Sequence, residues 1–523
     1  EMRLSTPIPS GPVHKFDKPW EGPFSGYSTV IKDNDNYFLY YRGLPNAGKD
    51  GTNDETSCVI TSIDGINWVR PNISKYLINK YPQNNIILAN SAPVTHNFSP
   101  FLDTRIGVDK NHRFKALGGN ETSGLIAYTS HDGLDWKKLH DKPVFTKGIF
   151  DSQNVSFWSQ HEECYICYFR TWTKGGYNGY RTVSRTTSKD FINWTAPIKM
   201  TFGDTPKEHL YTNQTHPYYR APHIYIGIAA RFMPGRKVLT TKQAEKLGVS
   251  PSYFNDCSDV VLLSSRGGNS YQRNFMESFL RPAIGLENWV SRSNYPALNI
   301  VQTSEQEMSF YVNQNYAQPS SNLHRYRLRI DGISSLYSGY KGGEIITKPF
   351  VFKGSELSMN YSTSAAGGIR VEILDDAGAV HQGYSRNECI EAIGNYIDGK
   401  IKWKEHENLN ELNRYGKETG KATGSMNKRP GSPVKKGGSG DKALNVVRGM
   451  IRKQQGKPEG QQKKVKGVKS DAGTGKYLDK QKSKKEYAAK AKKAGYKNPQ
   501  DYTNVVARYG SEDNMKKGRG LGT

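Results

Sequence analysis

The chain has 523 residues, of which 35% are hydrophobic, with 52 Gly, 25 Pro and 32 Tyr against 19 Phe. That length predicts two or more domains, and many aromatics and glycines with few long apolar runs predict an all-β protein rich in turns. The five sparse cysteines (Cys58, Cys164, Cys167, Cys257 and Cys389) do not make a disulfide framework, and no apolar run approaches the 18 residues of a membrane helix.

The charge is unevenly spread. Of the formal +25, roughly +20 lies between Asn413 and the end, where 29 Lys/Arg face 9 Asp/Glu. The rest of the chain is mildly basic. The opening "EMRLS" reads as neither a start nor a signal peptide, and a processed or cut product is the expectation.

In chain order, the first signal is a repeat. "TSIDGINW" (61–68), "TSHDGLDW" (129–136) and "TSKDFINW" (187–194) share Thr-Ser-x-Asp-x-x-x-Trp. Each closes a unit of strand, turn, strand, longer connection and strand, with a period of two and not 3.6. Asp-Gly suits a tight turn, the Ser hydroxyl can close it, and the Trp returns to fill the wedge between units. Two weaker units follow, around "APHIYIGIAARF…DVVLLSSRGGNSYQ" and "EMSFYVNQNY…HRYRLRIDGISSLY". Five such units predict a five-bladed β-propeller over 1–337. The N-terminus reads as short, as if a strand closing the propeller were missing.

Residues 338–412 read as strand, turn, strand, and predict a small β-sandwich that lacks its final strands. Residues 413–523 are rich in Lys, Gly, Gln and Ser and predict a disordered basic tail, with one short helical stretch in "SKKEYAAKAKKAGY". The tail's charge suits nucleic acid or another anionic surface, and its style faintly resembles the tails of marine phage structural proteins. Cys164 and Cys167, three apart on one strand, point to opposite faces and predict packing residues rather than a metal pair. His216 and His223 likewise share no metal, and no cofactor is expected.

In a propeller the innermost strands line a central funnel, and their first residues stand at its mouth. Glu21 precedes the first unit's strand, Asp103 lies in "NFSPFLDTR", and Asp151 opens "DSQNVSFW". Three acids at such starts predict a carboxylate cluster, the equipment of glycosidic bond cleavage. Trp20, Arg105, Asn213, His216, Arg220, Arg281, Glu287 and Arg292 are the candidate substrate contacts, and Trp172 and Tyr211 can stack on sugar faces.

The first three units resemble the five-bladed propeller glycoside hydrolases of families 32, 43 and 68. A closer resemblance, carried by "KFDKPWEGPFSGYSTVIKD", "NFSPFLDTR", "FDSQNVSFW", "HLYTNQTHPYYRAPHIYI" and "STSAAGGIRVEI", is to glycosyl-hydrolase-like propeller proteins of planctomycete-type bacteria. It implies a glycoside hydrolase with Glu21 as base or nucleophile, Asp103 as electrostatic stabiliser and Asp151 as general acid. It also implies an oligo- or polysaccharide partner and an extracellular or periplasmic location. The motifs depart from the enzymes': Glu21 stands for an Asp, Leu102 and Thr104 flank Asp103, and Asp151 stands for a Glu. A second reading is therefore a non-catalytic carbohydrate-binding propeller, anchored through its basic tail to a virion, nucleic acid or anionic surface.

Overall fold

The computed structural model describes residues 1–412, apart from 79, 80, 349, 353 and 411, together with 446–453, 491–494 and 502. The chain divides into two compact units, Glu1–Arg452 and Lys453–Thr523. The disordered tail expected from 413 onward lies outside the described residues except for those short stretches.

The first unit holds a five-bladed propeller. Blade one is Gly26–Asp33, Asn36–Gly43, Thr56–Ser62 and Ile86–Leu88, each antiparallel to the next. Blade two is Ser99–Leu102, Phe114–Asn120, Gly124–Ser130 and Lys137–Lys138; blade three is Val155–Ser159, Cys164–Trp172, Arg181–Ser188 and Ile198–Lys199. Blade four has His209–Tyr218, Ala221–Met233 and Cys257–Ser265. Its last two strands are linked by an insertion with a short helix, Thr241–Lys246, which Thr240 and Gln243 cap reciprocally. Blade five begins with the short pieces Tyr295–Pro296 and Val301–Gln302 and continues through Glu307–Gln314 and Asn322–Arg329.

Its outermost strand is Ile8–Lys15, antiparallel to Asn322–Arg329. This corrects the expectation of a missing closing strand. Pro9, Gly11 and Pro12 break the alternation that would mark Ile8–Lys15 as a strand, and the pairing is correspondingly irregular at Pro9/Pro12 and Pro12/His14. Between blades five and one, the strand presents His14 to the carboxylate of Glu21, 3.3 Å away.

The repeated motif is the turn after each blade's third strand. Ser62 Oγ donates to Asp64 at 2.8 Å and accepts from the Gly65 N–H, while Asp64 accepts from the N–H groups of Ile66 and Asn67. The same bonds recur at 130–135 and 188–193. The fifth position is left-handed in all three, with φ 70° at Gly65, 78° at Gly133 and 70° at Phe191. Glycine bears this freely; the third copy imposes it on a phenylalanine. At Gly133 an added Cβ would also meet the Tyr40 hydroxyl at 2.5 Å.

That contact shows what the turns do. The Tyr40 hydroxyl of blade one donates to the Gly133 carbonyl of blade two at 3.0 Å, and Tyr311 of blade five donates likewise to Gly65 of blade one. Trp136 packs edge-on against Tyr40 and Phe98, and Trp68 against Tyr311. Trp194 instead stays on Phe191 within its own blade.

Two buried glutamines knot the five inner strands at the axis. Gln153 donates to the Ser28 carbonyl, Thr29 Oγ1 and Ser99 Oγ, and Gln214 donates to Gln153 at 2.6 Å and to the Pro296 carbonyl at 3.0 Å. The channel is therefore crossed by a polar floor at the axis.

Beyond the propeller, Leu357–Ser362 pairs with Asn395–Ile401, and Gly343–Ile346, Val446–Lys453 and Gly367–Leu374 form a second small sheet. Ile369, Val371, Tyr384 and Trp403 lie in the core between them. One strand thus comes from beyond Leu412, where none was expected. Among the described residues, no helix is long and apolar enough to cross a membrane.

Candidate functional site

The three carboxylates named from the sequence do not converge. Inner strands run in one sense from mouth to far end, so a residue before the strand and one after it lie at opposite ends. Asp151 precedes Val155, whereas the second inner strand is only Ser99–Leu102 and Asp103 follows it.

At that far end Asp103 is buried and fully engaged. Its Oδ2 accepts from Lys115 Nζ at 2.7 Å and the Tyr165 hydroxyl at 2.6 Å, and its Oδ1 from the Arg105 N–H at 2.9 Å. The Arg105 guanidinium lies over Trp158 and Tyr165.

Glu21 is sealed in the wall between blades, at 0% exposure. Arg70 donates to both its oxygens, at 2.9 and 2.8 Å, and the Tyr41 hydroxyl and Lys18 N–H add to them. Burial raises its pKa, but the bonds from His14 and Arg70 outweigh that and hold it at about 2. A carboxylate so occupied has no lone pair facing solvent.

The other predicted contacts are scattered. Trp20 is buried and donates to Asn85 at 2.9 Å, and Asn213 is tied to Tyr271. His216 is neutral: Nδ1 donates to the Gln214 carbonyl, Nε2 accepts from the Ile300 N–H, and burial holds it at about 4. Arg220 pairs with Asp331 at 3.2 Å at the far end, Arg281 is exposed, and Glu287 lies in the loop before Arg292. Of the predicted set only Asp151 and Arg292 reach the mouth, with the aromatics Trp172 and Tyr211.

Backbone geometry sets Asp151. Phe150 before it is left-handed, at φ 58°, and the Phe150 carbonyl accepts from the side-chain amides of Asn97 at 2.6 Å and Asn154 at 3.1 Å. Asp151 lies 2.5 Å from Arg170 and remains 31% exposed. Tyr27, at φ 50°, and Arg292, at φ 60°, are strained in the same way, so three non-glycine outliers stand at one recess.

Around Asp151 the mouth is built from guanidinium groups and rings. Arg170 lies 4.6 Å from the Tyr211 ring centre, Arg181 5.1 Å and Arg292 6.0 Å. Arg292 also faces Tyr253, from the blade-four insertion, and Tyr316. Burial pushes the Tyr211 phenol up, but the three guanidinium charges outweigh it and hold it below its ordinary range. Asp256 ends the same insertion and accepts from the Ser291 hydroxyl; burial raises its pKa, against Ser291 and Arg292.

Beside these, Asp50, Glu55 and His96 bring their ligand-type atoms within 4.8 Å of one another. This set could hold a cation, but Nη1 of Arg42 lies at its centre, 3.2 Å from Asp50, 3.3 Å from Glu55 and 3.1 Å from His96. The guanidinium supplies the positive charge these groups require. Arg292 then lies 3.7 Å from Asp50, which is 34% exposed.

Arg42, Asp50, Glu55, His96, Arg170 and Arg181 escaped the sequence reading. A signal existed for two of them. Arg42 in "YFLYYRG" and Arg170 in "CYICYFRTW" each end an apolar second strand, where a buried charge requires a partner.

No protein-family model matches the chain, and no curated sequence does. Several solved structures are similar to it in fold. An N-acetylgalactosamine deacetylase from F. plautii, in complex with blood group B trisaccharide, is 12% identical with a TM-score of 0.42, covering 63% of this chain and 97% of that one. A glycosyl hydrolase from Bacteroides ovatus is 14% identical with a TM-score of 0.38, covering 62% and 94%. A fructofuranosidase from Schwanniomyces occidentalis, complexed with fructosylnystose, is 11% identical with a TM-score of 0.37, covering 70% and 71%.

Proposed function

We propose that the protein is a glycoside hydrolase acting at the mouth of the propeller, with a catalytic set that differs from the one read in the sequence. The observation that supports this reading is two carboxyl groups in contrasting surroundings, Asp151 and Asp256, both within reach of the Arg181 charge. Asp151 is partly exposed and ion-paired with Arg170. Asp256 is raised by burial beside Arg292. Groups with environments of this contrast divide acid from base. An ion-paired carboxylate suits a base or nucleophile, and a raised one suits the donor to the leaving oxygen. Tyr211 and Tyr253, each half-buried there, offer ring surface that a sugar can meet. Asp151 thus moves from general acid to base or nucleophile, and Glu21 and Asp103 leave the catalytic set.

The test is a glycan panel assayed for released reducing ends with the full chain, alongside Asp151→Asn and Asp256→Asn. Turnover that falls on the order of a hundredfold or more in both, with melting temperature kept, supports the reading. Binding without turnover on the whole panel, unchanged in both variants, supports a carbohydrate-binding propeller instead.

A further inference from the structure

We infer that the glycan taken at the mouth is anionic, carrying a carboxylate or sulfate group that Arg181 grips. The inference rests on the reading of the mouth as a glycan site.

The argument starts from charge that the protein itself leaves unmatched. Arg42 has Asp50 and Glu55, Arg170 has Asp151, Arg292 has Asp50, and Asp256 is felt by Arg292 and Arg181 without an ion pair to either. Arg181 opens the third strand of blade three, opposite Trp172, and among the described residues its guanidinium has neither a carboxylate partner nor a hydrogen bond. Its Nε is buried and unpartnered, as is the indole N–H of Trp172 beneath it. Arg181 is half-exposed, so its terminal N–H groups stay open to a ligand while the buried Nε goes unused, at a cost that a ligand could help offset.

Its orientation is fixed. The guanidinium lies 4.5 Å from the Trp172 ring centre, 4.8 Å from Phe232 and 5.1 Å from Tyr211, held from three sides by aromatic surfaces. Ring contacts do not use the N–H groups, and the two terminal ones can meet a planar carboxylate or two sulfate oxygens with paired bonds. The local field agrees with the geometry. Burial and the neighbouring Arg170 lower the Arg181 pKa and outweigh Tyr211, Tyr295 and the more distant Asp151, which raise it. An incoming anion would counter that lowering.

Binding is measured by calorimetry on the full chain with three matched oligosaccharides, one neutral, one uronate-containing and one sulfated, and with inorganic sulfate alone. Wild type is expected to prefer one anionic probe over the neutral one by on the order of tenfold or more; the uronate and sulfate arms identify which. Arg181→Gln is expected to abolish that preference, and Arg181→Lys to restore only part of it, because the charge returns without the fork. A neutral probe bound or cleaved as well as the anionic ones overturns the inference and leaves the hydrolase reading standing. Anion-selective binding without hydrolysis overturns the hydrolase reading and leaves the inference standing. Preference for anions undiminished in a folded Arg181→Gln protein removes Arg181 from the role.

Discussion

The two ends of the propeller channel use the same kinds of residue to opposite effect. At the far end, buried Asp103 has Lys115, Tyr165 and a backbone N–H for its two oxygens. At the mouth, Asp50 is shared between two arginines, Arg181 has no carboxylate among the described residues, and three non-glycine residues are held in left-handed backbone. Matched buried charge is architecture, because each group already has what it lost with water. A guanidinium without a direct partner is left for a ligand.

The largest effect that could break this comparison is kinetic. Asp151→Asn at the mouth is expected to lower turnover on the order of a hundredfold or more, while Asp103→Asn at the far end changes stability and leaves turnover per folded molecule intact. Equal kinetic losses in the two would dissolve the distinction. Next is the wall itself. Glu21→Gln leaves Arg70 without its buried counter-ion and is expected to cost about 3 kcal/mol, read from urea unfolding midpoints.

The same residue sharpens the comparison through pH. The folded Glu21 pKa lies below its ordinary value, so its stabilisation is fully present above about pH 4.5 and fades as pH falls toward 2. His216, also depressed, acts in the same sense between about pH 6.5 and 4. Wild type and Glu21→Gln should therefore converge in stability as the solution is acidified; parallel curves would count against the buried ion cluster. The smallest effect is expected in the turns. Asp64→Ala removes an exposed bracket of backbone bonds and should cost about 1 kcal/mol, with no effect on binding at the mouth.

Much of the fold was legible. The Ser-x-Asp turn carries its own hydrogen bonds within six residues, so its copies count blades without any knowledge of distant contacts. Even the Tyr40 and Tyr311 staples were half visible, as aromatic residues in alternating strands. Ile8–Lys15 was not legible, because two prolines and a glycine hide a strand whose partner lies more than 300 residues away. The site was less legible still. Asp103 was read as starting a strand that it actually follows, and a shift of four residues carries a side chain from the mouth to the far end. Trp172, Tyr211 and Arg292 could be picked out as residue types; that they meet Arg170 and Arg181 could not.

By itself the sequence determined the local chemistry: turns closed by neighbouring side chains, strands with a period of two, and five units of similar build. These need only short-range bonds, which adjacent residues specify. Only the tertiary structure decided which charges meet. Arg42, Asp151, Arg181, Tyr211 and Arg292 come from four blades, and their convergence follows from closing the ring around Gln153 and Gln214. No local pattern encodes that closure, because it depends on all five blades packing at once.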